Sequence, residues 1–88
     1  MMATVYILYS DMLDKYYIGC TADALEQRLR KHLYDHKGFT ARAKDWIIAY
    51  HELFENKSDA LKREKEIKSW KSKNRIKELI SSANRASR

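Results

Sequence analysis

The chain has 88 residues, with two glycines, no proline and one cysteine. A chain of this length forms one domain with a modest core, and a single cysteine excludes both an internal disulfide and a cysteine-based zinc site. Its apolar runs are far shorter than the roughly 20 residues that span a bilayer, and no leader segment opens it, so we expect a soluble, cytoplasmic protein without membrane contact.

The net charge of +6 lies in the last third of the chain. Residues 1–54 contain seven lysines and arginines against seven aspartates and glutamates, whereas residues 55–88 contain eleven against five. A basic region of this kind favours a polyanion such as nucleic acid. A lysine-rich helix that only keeps the protein in solution has the same composition, so charge alone leaves both interpretations open.

The chain begins with two predicted strands. Residues 4–10 are β-branched and aromatic and are apolar on both faces of the alternation, which predicts a strand covered on both sides. Residues 15–19 form a second, shorter run after a polar connection. Together the two runs predict an antiparallel hairpin whose loop is longer than the minimum.

A helix is predicted after Gly19, which we expect to let the backbone turn closely into it. Asp23 occupies the position of an N-cap with Glu26 as its reciprocal partner, and leucines recur every four residues to about residue 34 or 35. Glu26 is placed to pair with the arginine four residues later, which leaves Arg28 without an evident partner in its own helix. Arg28 and His32 share one face of this helix.

The second half of the chain predicts a third strand and two helices. Residues 46–54 are apolar on both faces, which indicates the central strand of the sheet. Ser58 is the predicted N-cap of a helix over residues 59–71, and Asn74 is the predicted cap of a last helix. A loop is predicted over residues 36–42.

Glu64 lies inside the apolar stripe of its predicted helix, on the same side as Ala60, Leu61 and Ile67. Burying a charge is unfavourable by several kcal/mol unless something pairs with it. Either Lys68, one turn later, neutralises this carboxylate, or Glu64 faces a cavity and binds a ligand. The pattern leaves both alternatives open.

Five polar side chains are not explained as ordinary surface: Tyr6, Tyr17, Arg28, His32 and Glu64. Hydrolysis of a phosphodiester needs a deprotonated water, positive charge beside the developing phosphorane oxygens, and assistance to the leaving oxygen. An arginine matches phosphate oxygens, a carboxylate can hold one hard divalent ion, and a tyrosine can relay a proton if cationic neighbours lower its pKa of about 10. Each residue alone also has a structural explanation in packing or at the surface.

The spacing of these residues resembles the GIY-YIG nuclease family over about residues 4–80. The first motif falls at residues 4–6, which keep only the tyrosine of the name, and the second is intact at residues 17–19. Residues 60–64 fit the A-x-x-x-E segment of the family's metal-binding helix.

The strongest likeness is to the small, single-domain bacterial branch of the family. Thr21 stands, with the arginine and histidine of the first helix, in the family's threonine, arginine and histidine series. His36, Gly38 and Thr40 echo the H-x-G-x-T element of that branch, and residues 64–70 look like its E-K-x-I-K-x-W helix. More distantly, the chain resembles the amino-terminal nuclease module of UvrC-type repair proteins.

The resemblance implies an α+β fold, a three-stranded antiparallel sheet flanked by helices in the order β-β-α-β-α-α. This single domain would fill residues 1–80, followed by a flexible polar tail over residues 81–88. The resemblance also implies a metal-dependent endonuclease that hydrolyses DNA phosphodiester bonds in repair or recombination, with one Mg²⁺ or Mn²⁺ ion held by Glu64.

The resemblance assigns a role to each of the other site residues. Tyr6 would be the general base or orient the water, and Tyr17 would assist at the same phosphate. Arg28 would stabilise the charge of the transition state. The lysine that some relatives carry after the second motif is absent, so His32 would activate Tyr6 or contact the phosphate.

DNA is the expected partner, and a partner protein that supplies specificity is compatible with so small a domain. We assign nucleic-acid contacts to Tyr16, Thr21, Lys31, His36, Lys37, Thr40, Arg42, Lys68 and Lys71. Two further hypotheses remain, a nucleic-acid-binding module that keeps the fold without turnover, and a protein-docking role for the basic last third. The presence of all five candidate catalytic residues favours the enzyme.

Overall fold

The computed structural model describes residues 2–34 and 39–86. Its strands are β1 (Ala3–Ser10), β2 (Lys15–Thr21) and β3 (Ile47–Phe54). Its helices are α1 (Leu25–Tyr34), α2 (Lys57–Trp70) and α3 (Lys73–Ala86), with a short 3₁₀ helix (Phe39–Arg42) between α1 and β3. The predicted α+β class and element order are confirmed. Within the two described ranges, no helix has the length and apolarity needed to cross a membrane.

The three strands form one antiparallel sheet in the order β2-β1-β3. The prediction that the third strand is central is therefore wrong, because β1 pairs with both of the others. Tyr6, Ile7 and Leu8 of β1 are at most 1% exposed, whereas Ile47 and Leu53 of the edge strand β3 are 58% and 61% exposed. An apolar sequence on both faces does not separate a central strand from an edge strand, since the distinction depends on which strands pair.

The sheet separates two hydrophobic clusters, because successive side chains of a strand point to opposite faces. On the side that we call the α2–α3 face, the buried residues are Ala3, Val5, Ile7, Ala60, Ile67 and Ile76. On the side that we call the α1 face, they are Tyr6, Leu8, Ala43 and Trp46, with leucines of α1 packed against them. The central strand thus supplies both cores, and Tyr6 belongs to the α1 face.

The α2 helix begins earlier than its sequence predicts. The N-cap is Asn56, whose Oδ1 accepts a hydrogen bond from the backbone N–H of Asp59 at 2.8 Å. Ser58, the predicted cap, falls in the first turn of the helix, where its own backbone is already helical. The choice between two good capping residues depends on where the chain leaves β3, which local sequence does not show.

The break between α2 and α3 also differs from the prediction. Lys71 adopts a left-handed conformation with φ 49°, which ends α2, and the Ser72 hydroxyl accepts a hydrogen bond from Arg75 N at 3.3 Å. Ser72 therefore takes the capping role predicted for Asn74, which lies inside α3. The helix continues through residues 81–86, where the sequence predicts a tail, since this stretch contains neither glycine nor proline.

The first predicted loop is a turn in the structure, whereas the described part of the second is helical. Residues 11–14 connect β1 to β2, and Asp14 takes a positive φ of 51°, a conformation that aspartate tolerates better than most residues. Of the loop predicted over residues 36–42, the described part, residues 39–42, forms the 3₁₀ helix. Residues 36–38 lie outside the described ranges.

Candidate active site

Tyr6 stands at the centre of the candidate site, in the middle of β1, and is 1% exposed. Its cross-strand partner on β2 is Gly19, and the phenol ring lies over this glycine. A Cβ atom at position 19 would come within 2.5 Å of Tyr6 Cζ, well inside van der Waals contact. Gly19 is thus needed for the close approach of an aromatic ring rather than for the predicted turn into α1.

Two side chains of α1 meet at the phenolic oxygen of Tyr6. His32 Nε2 lies 2.9 Å from Tyr6 Oη, and Arg28 Nε donates a hydrogen bond to the same oxygen at 3.4 Å. Because Arg28 supplies a proton to this oxygen, the hydroxyl proton of Tyr6 is free to be donated to Nε2 when His32 carries its own proton on Nδ1. Arg28 and His32, predicted to share one face of α1, therefore both contact Tyr6 Oη on β1.

Tyr17 completes an aromatic wall on the α1 face. Its ring centroid lies 4.9 Å from that of His32 with an interplanar angle of 63°, and 6.5 Å from that of Tyr6. Edge-to-face geometry of this kind is a favourable aromatic arrangement. Tyr17 is half-buried, whereas Tyr6 is almost fully buried, so Tyr17 is the more accessible of the two tyrosines.

The electrostatics of the site keep Tyr6 neutral at pH 7. Burial raises the pKa of Tyr6 above its ordinary value of 10.0, and this effect exceeds the opposing hydrogen bond and charge of Arg28. The hydrogen bond to Tyr6 in turn raises the pKa of the Arg28 guanidinium. The expectation that cationic neighbours lower the tyrosine pKa therefore describes one contribution correctly but misses the larger one, which is desolvation.

Glu64 lies on α2, and its side chain is 16% exposed. Lys68 Nζ lies 3.2 Å from Glu64 Oε2, so the structural pair considered in the sequence analysis does form. The negative charge of Glu64 also raises the pKa values of Tyr6 and Cys20. The carboxylate is therefore both paired with a lysine and within electrostatic range of the tyrosine hydroxyl.

A divalent ion at this site would have one carboxylate from the described residues. Residues 2–34 and 39–86 contain no group of three or more histidine, cysteine or acidic side chains placed to share a metal ion. Mg²⁺ is commonly bound through one or two carboxylates while it keeps several waters and takes substrate phosphate oxygens as further ligands. The single carboxylate of Glu64 fits this type of site.

Several predicted nucleic-acid contacts lie at the junction of β2 and α1 or beyond the described residues. Thr21 is 6% exposed, and its hydroxyl oxygen accepts a hydrogen bond from Asp23 N at 3.0 Å, which stabilises the turn that leads into α1. His36 and Lys37 lie outside the described ranges. Thr40 belongs to the 3₁₀ helix, and its side chain is not described.

The remaining predicted contacts divide between the two sides of the sheet. Lys31 is exposed on α1, and Arg42 is exposed at the end of the 3₁₀ helix that packs beside α1. Tyr16, Lys68 and Lys71 lie on the α2–α3 face, where they line a pocket. The predicted nucleic-acid contacts thus occupy two surfaces.

Two lysines of that pocket, Lys15 and Lys73, are missing from the sequence prediction. Lys15 opens β2, and Lys73 opens α3, where its Nζ lies 2.6 Å from Asp14 Oδ2. A lysine next to Tyr16 gives a weak signal in the sequence. Nothing in the local sequence shows that the start of α3 lies beside the β1–β2 loop.

The chain is similar to known proteins in sequence and in fold. The family model of the GIY-YIG catalytic domain matches residues 2–77. The solution NMR structure of the UPF0213 protein BH0048 from Bacillus halodurans is similar over 92% of this chain and 84% of that chain, with 27% sequence identity and a TM-score of 0.58. No curated protein gives a significant match. Since the family model spans most of the chain, the protein belongs to the GIY-YIG catalytic domain family, a family of nucleases, as its motifs predict.

Proposed function

We propose that the protein is a metal-dependent endonuclease that hydrolyses phosphodiester bonds of DNA. The observation that supports this most directly is the convergence on Tyr6 Oη of His32 Nε2 at 2.9 Å and Arg28 Nε at 3.4 Å. A phenol placed between a proton acceptor and a guanidinium is suited to lose its proton as negative charge develops. Membership of a nuclease family supports the same reaction class.

The first step in the proposed reaction is activation of water. The raised pKa of Tyr6 means that its hydroxyl is protonated before substrate binds. A proton of the attacking water passes to the Tyr6 oxygen as the hydroxyl proton of Tyr6 passes to His32 Nε2, so the tyrosine acts as a relay and the histidine holds the net proton. Arg28 stabilises the negative charge that builds on the phenolic oxygen during this transfer.

The phosphate itself would contact Arg28 and Tyr17. Arg28 is partly exposed, so its guanidinium can present the N–H groups not used by Tyr6 to the phosphorane oxygens. Tyr17 lies beside His32 on the accessible side of the aromatic wall, where its hydroxyl can donate to the same phosphate. These contacts strengthen as charge develops on the oxygens and therefore favour the transition state.

Glu64 would hold the Mg²⁺ or Mn²⁺ ion. Such an ion, when bound, neutralises charge on the phosphate and on the leaving oxygen. Lys68 Nζ lies 3.2 Å from Glu64 Oε2, so a metal ion and the lysine would compete for the same carboxylate. Lys68 is exposed and can turn towards a DNA phosphate when it is displaced. A repair or recombination role, with a partner protein that supplies specificity, completes this proposal.

A non-catalytic nucleic-acid-binding module is the second candidate. Two observations favour it: Tyr6 is only 1% exposed, and the carboxylate of Glu64 is already neutralised by Lys68. A binder of this kind would retain the fold and the basic surface without turnover. It differs from the enzyme in one measurable property, the Mg²⁺-dependent cleavage of DNA.

A nicking assay on supercoiled and branched DNA tests the proposal. Wild type should cleave only with Mg²⁺ or Mn²⁺, and Glu64→Ala and Arg28→Ala should each reduce the rate by at least about 100-fold, the range found when a group that stabilises transition-state charge is removed. Lys62→Ala is the matched control, because Lys62 is exposed and lies roughly 200° around α2 from Glu64. Equal trace cleavage by all four proteins would indicate contamination and would leave the binding module as the function.

A further inference from the structure

A pocket of about 400 Å³ opens on the α2–α3 face, away from the phenol of Tyr6. It lies between the edge strand β2 and the junction of α2 with α3. Its apolar lining comes from Ile18, Ile67 and Ile76, together with the ring of Tyr16. The volume and the mainly apolar walls are those of a small-ligand site of modest size.

The ring of Tyr16 is held in a fixed position. Its centroid lies 4.9 Å from that of Tyr9, and the Tyr9 hydroxyl donates to Asp14 Oδ1 at 2.7 Å. Asp14 in turn binds Lys73 Nζ at 2.6 Å, which ties the β1–β2 loop to the start of α3. Hydrogen bonds from Lys73 and Tyr9 lower the pKa of Asp14, so this link is ionised at neutral pH.

The rim of the pocket is strongly basic. Four lysines line it: Lys15, Lys68, Lys71 and Lys73. One carboxylate, Asp14, lines it with them and is engaged by Lys73. Lys71 is exposed, and it lines the pocket at the residue where α2 ends. An anionic ligand with a flat apolar part matches this combination of charges and lining.

We propose that this pocket binds one unpaired nucleotide of single-stranded nucleic acid, with the base against Tyr16 and the adjoining phosphates on the rim lysines. Every base has a π-face that can stack on an aromatic side chain, and the backbone phosphates meet the basic rim. The pocket is lined by four lysines and one carboxylate, and this excess of positive charge favours an anionic ligand over a purely apolar one. A paired base cannot enter the pocket without first leaving its duplex.

The pocket adjoins the proposed cleavage site through Lys68. This residue lines the pocket, and its Nζ lies 3.2 Å from the carboxylate of Glu64, one turn earlier on α2. One helical turn corresponds to roughly 5 Å along the axis, so the rim begins next to the proposed metal-binding carboxylate. The inference therefore rests on the proposed nuclease function and adds to it a preference for substrates with an unpaired nucleotide beside the cleaved bond.

Binding of short fluorescent DNA, measured by anisotropy without divalent ions, tests the inference separately from cleavage. Tyr16→Leu keeps apolar volume but removes the stacking ring, and it should weaken single-strand binding roughly 5-fold or more. Lys71→Ala should weaken binding and reduce the slope of log K against log salt by about 0.7, the value for one phosphate contact on a single strand. Lys62→Ala, on the far side of α2, should leave binding unchanged.

The same binding measurement is repeated with different nucleic acids. Wild type should bind a single strand more tightly than a blunt duplex or a strand that is abasic throughout, and Tyr16→Leu should abolish the difference between the normal and abasic strands. Equal binding of both strands by wild type, or normal binding by Tyr16→Leu, would overturn the inference. A free mononucleotide that binds as tightly as the strand would also overturn it, because the pocket would then serve a small molecule.

The two proposals fail in different ways. Metal-dependent nicking that is lost in Glu64→Ala but unaffected by Tyr16→Leu, with base-independent binding, would retain the nuclease and reject the pocket. Pocket-dependent binding of single strands without nicking would reject the nuclease function and leave a single-strand-binding module. Circular dichroism of each variant shows whether its fold is intact.

Discussion

The contact between Gly19 and Tyr6 gives the sharpest prediction for the site. In Gly19→Ala the new methyl group would lie 2.5 Å from Tyr6 Cζ, whereas carbon atoms pack at about 3.5–4.0 Å, so ring and strand must separate by roughly 1 Å. Tyr6 is 1% exposed, which prevents the ring from moving into solvent. The separation must therefore disturb either the β1–β2 pairing or the contact with α1.

The expected size of the effect follows from this geometry. Forcing an extra methyl group into a packed core is unfavourable by about 1–3 kcal/mol, and loss of the 2.9 Å hydrogen bond to His32 leaves buried polar groups unsatisfied by a further ~1–3 kcal/mol. We expect Gly19→Ala to lower the free energy of unfolding by about 2–6 kcal/mol. A displacement of this size also predicts roughly a 100-fold loss of cleavage rate.

A double-mutant cycle measured by urea denaturation checks this reasoning. In a Tyr6→Leu background the ring is absent, so alanine at position 19 should be tolerated, or favoured by about 0.5–1 kcal/mol because glycine is unfavourable in a strand. A coupling energy above about 1 kcal/mol between the two positions is expected. Equal destabilisation by Gly19→Ala in both backgrounds would refute the proposed contact.

Two further predictions concern protonation and capping. Burial raises the pKa of Tyr6 above 10.0, so its neutral form stabilises the fold fully below pH 10, and this contribution falls as the pH rises through the folded-state pKa. Tyr6→Phe should therefore lose less stability at alkaline pH than wild type, as measured by urea unfolding at increasing pH. Asn56→Ala should lower stability by about 1 kcal/mol, or the melting temperature by about 4–8 °C, whereas Ser58→Ala should stay within about 0.5 kcal/mol. The reverse ranking in thermal unfolding would restore Ser58 as the cap.

Helical spacing is sufficient to predict the pairs that lie within one element. Arg28 and His32 share a face because residues four apart are one turn apart, and the same rule pairs Glu64 with Lys68. The family motifs can likewise be recognised in the sequence, because each motif is defined by residue types at a fixed spacing. The α+β class and the order of elements could therefore be predicted before any contact was known.

Contacts between elements are decided only in the tertiary structure. Tyr6 is an ordinary strand tyrosine in sequence, and its meeting with Arg28 and His32 depends on how α1 packs across the sheet. Desolvation, which sets the direction of its pKa shift, exists only after that packing is complete. The central position of β1 has the same origin, because strand order depends on pairing between distant segments.

The pocket on the α2–α3 face shows most clearly that contacts between elements could not be predicted from sequence. Tyr16 and Lys71 are separated by most of the chain, and they line one pocket because α2 runs back along β2 and ends beside its first residues. The amino-acid sequence by itself determined the elements, the family and the identity of the catalytic candidates, since these depend on local spacing. Only the tertiary structure decided which of them share an oxygen, a carboxylate or a pocket, because those relations require long-range packing.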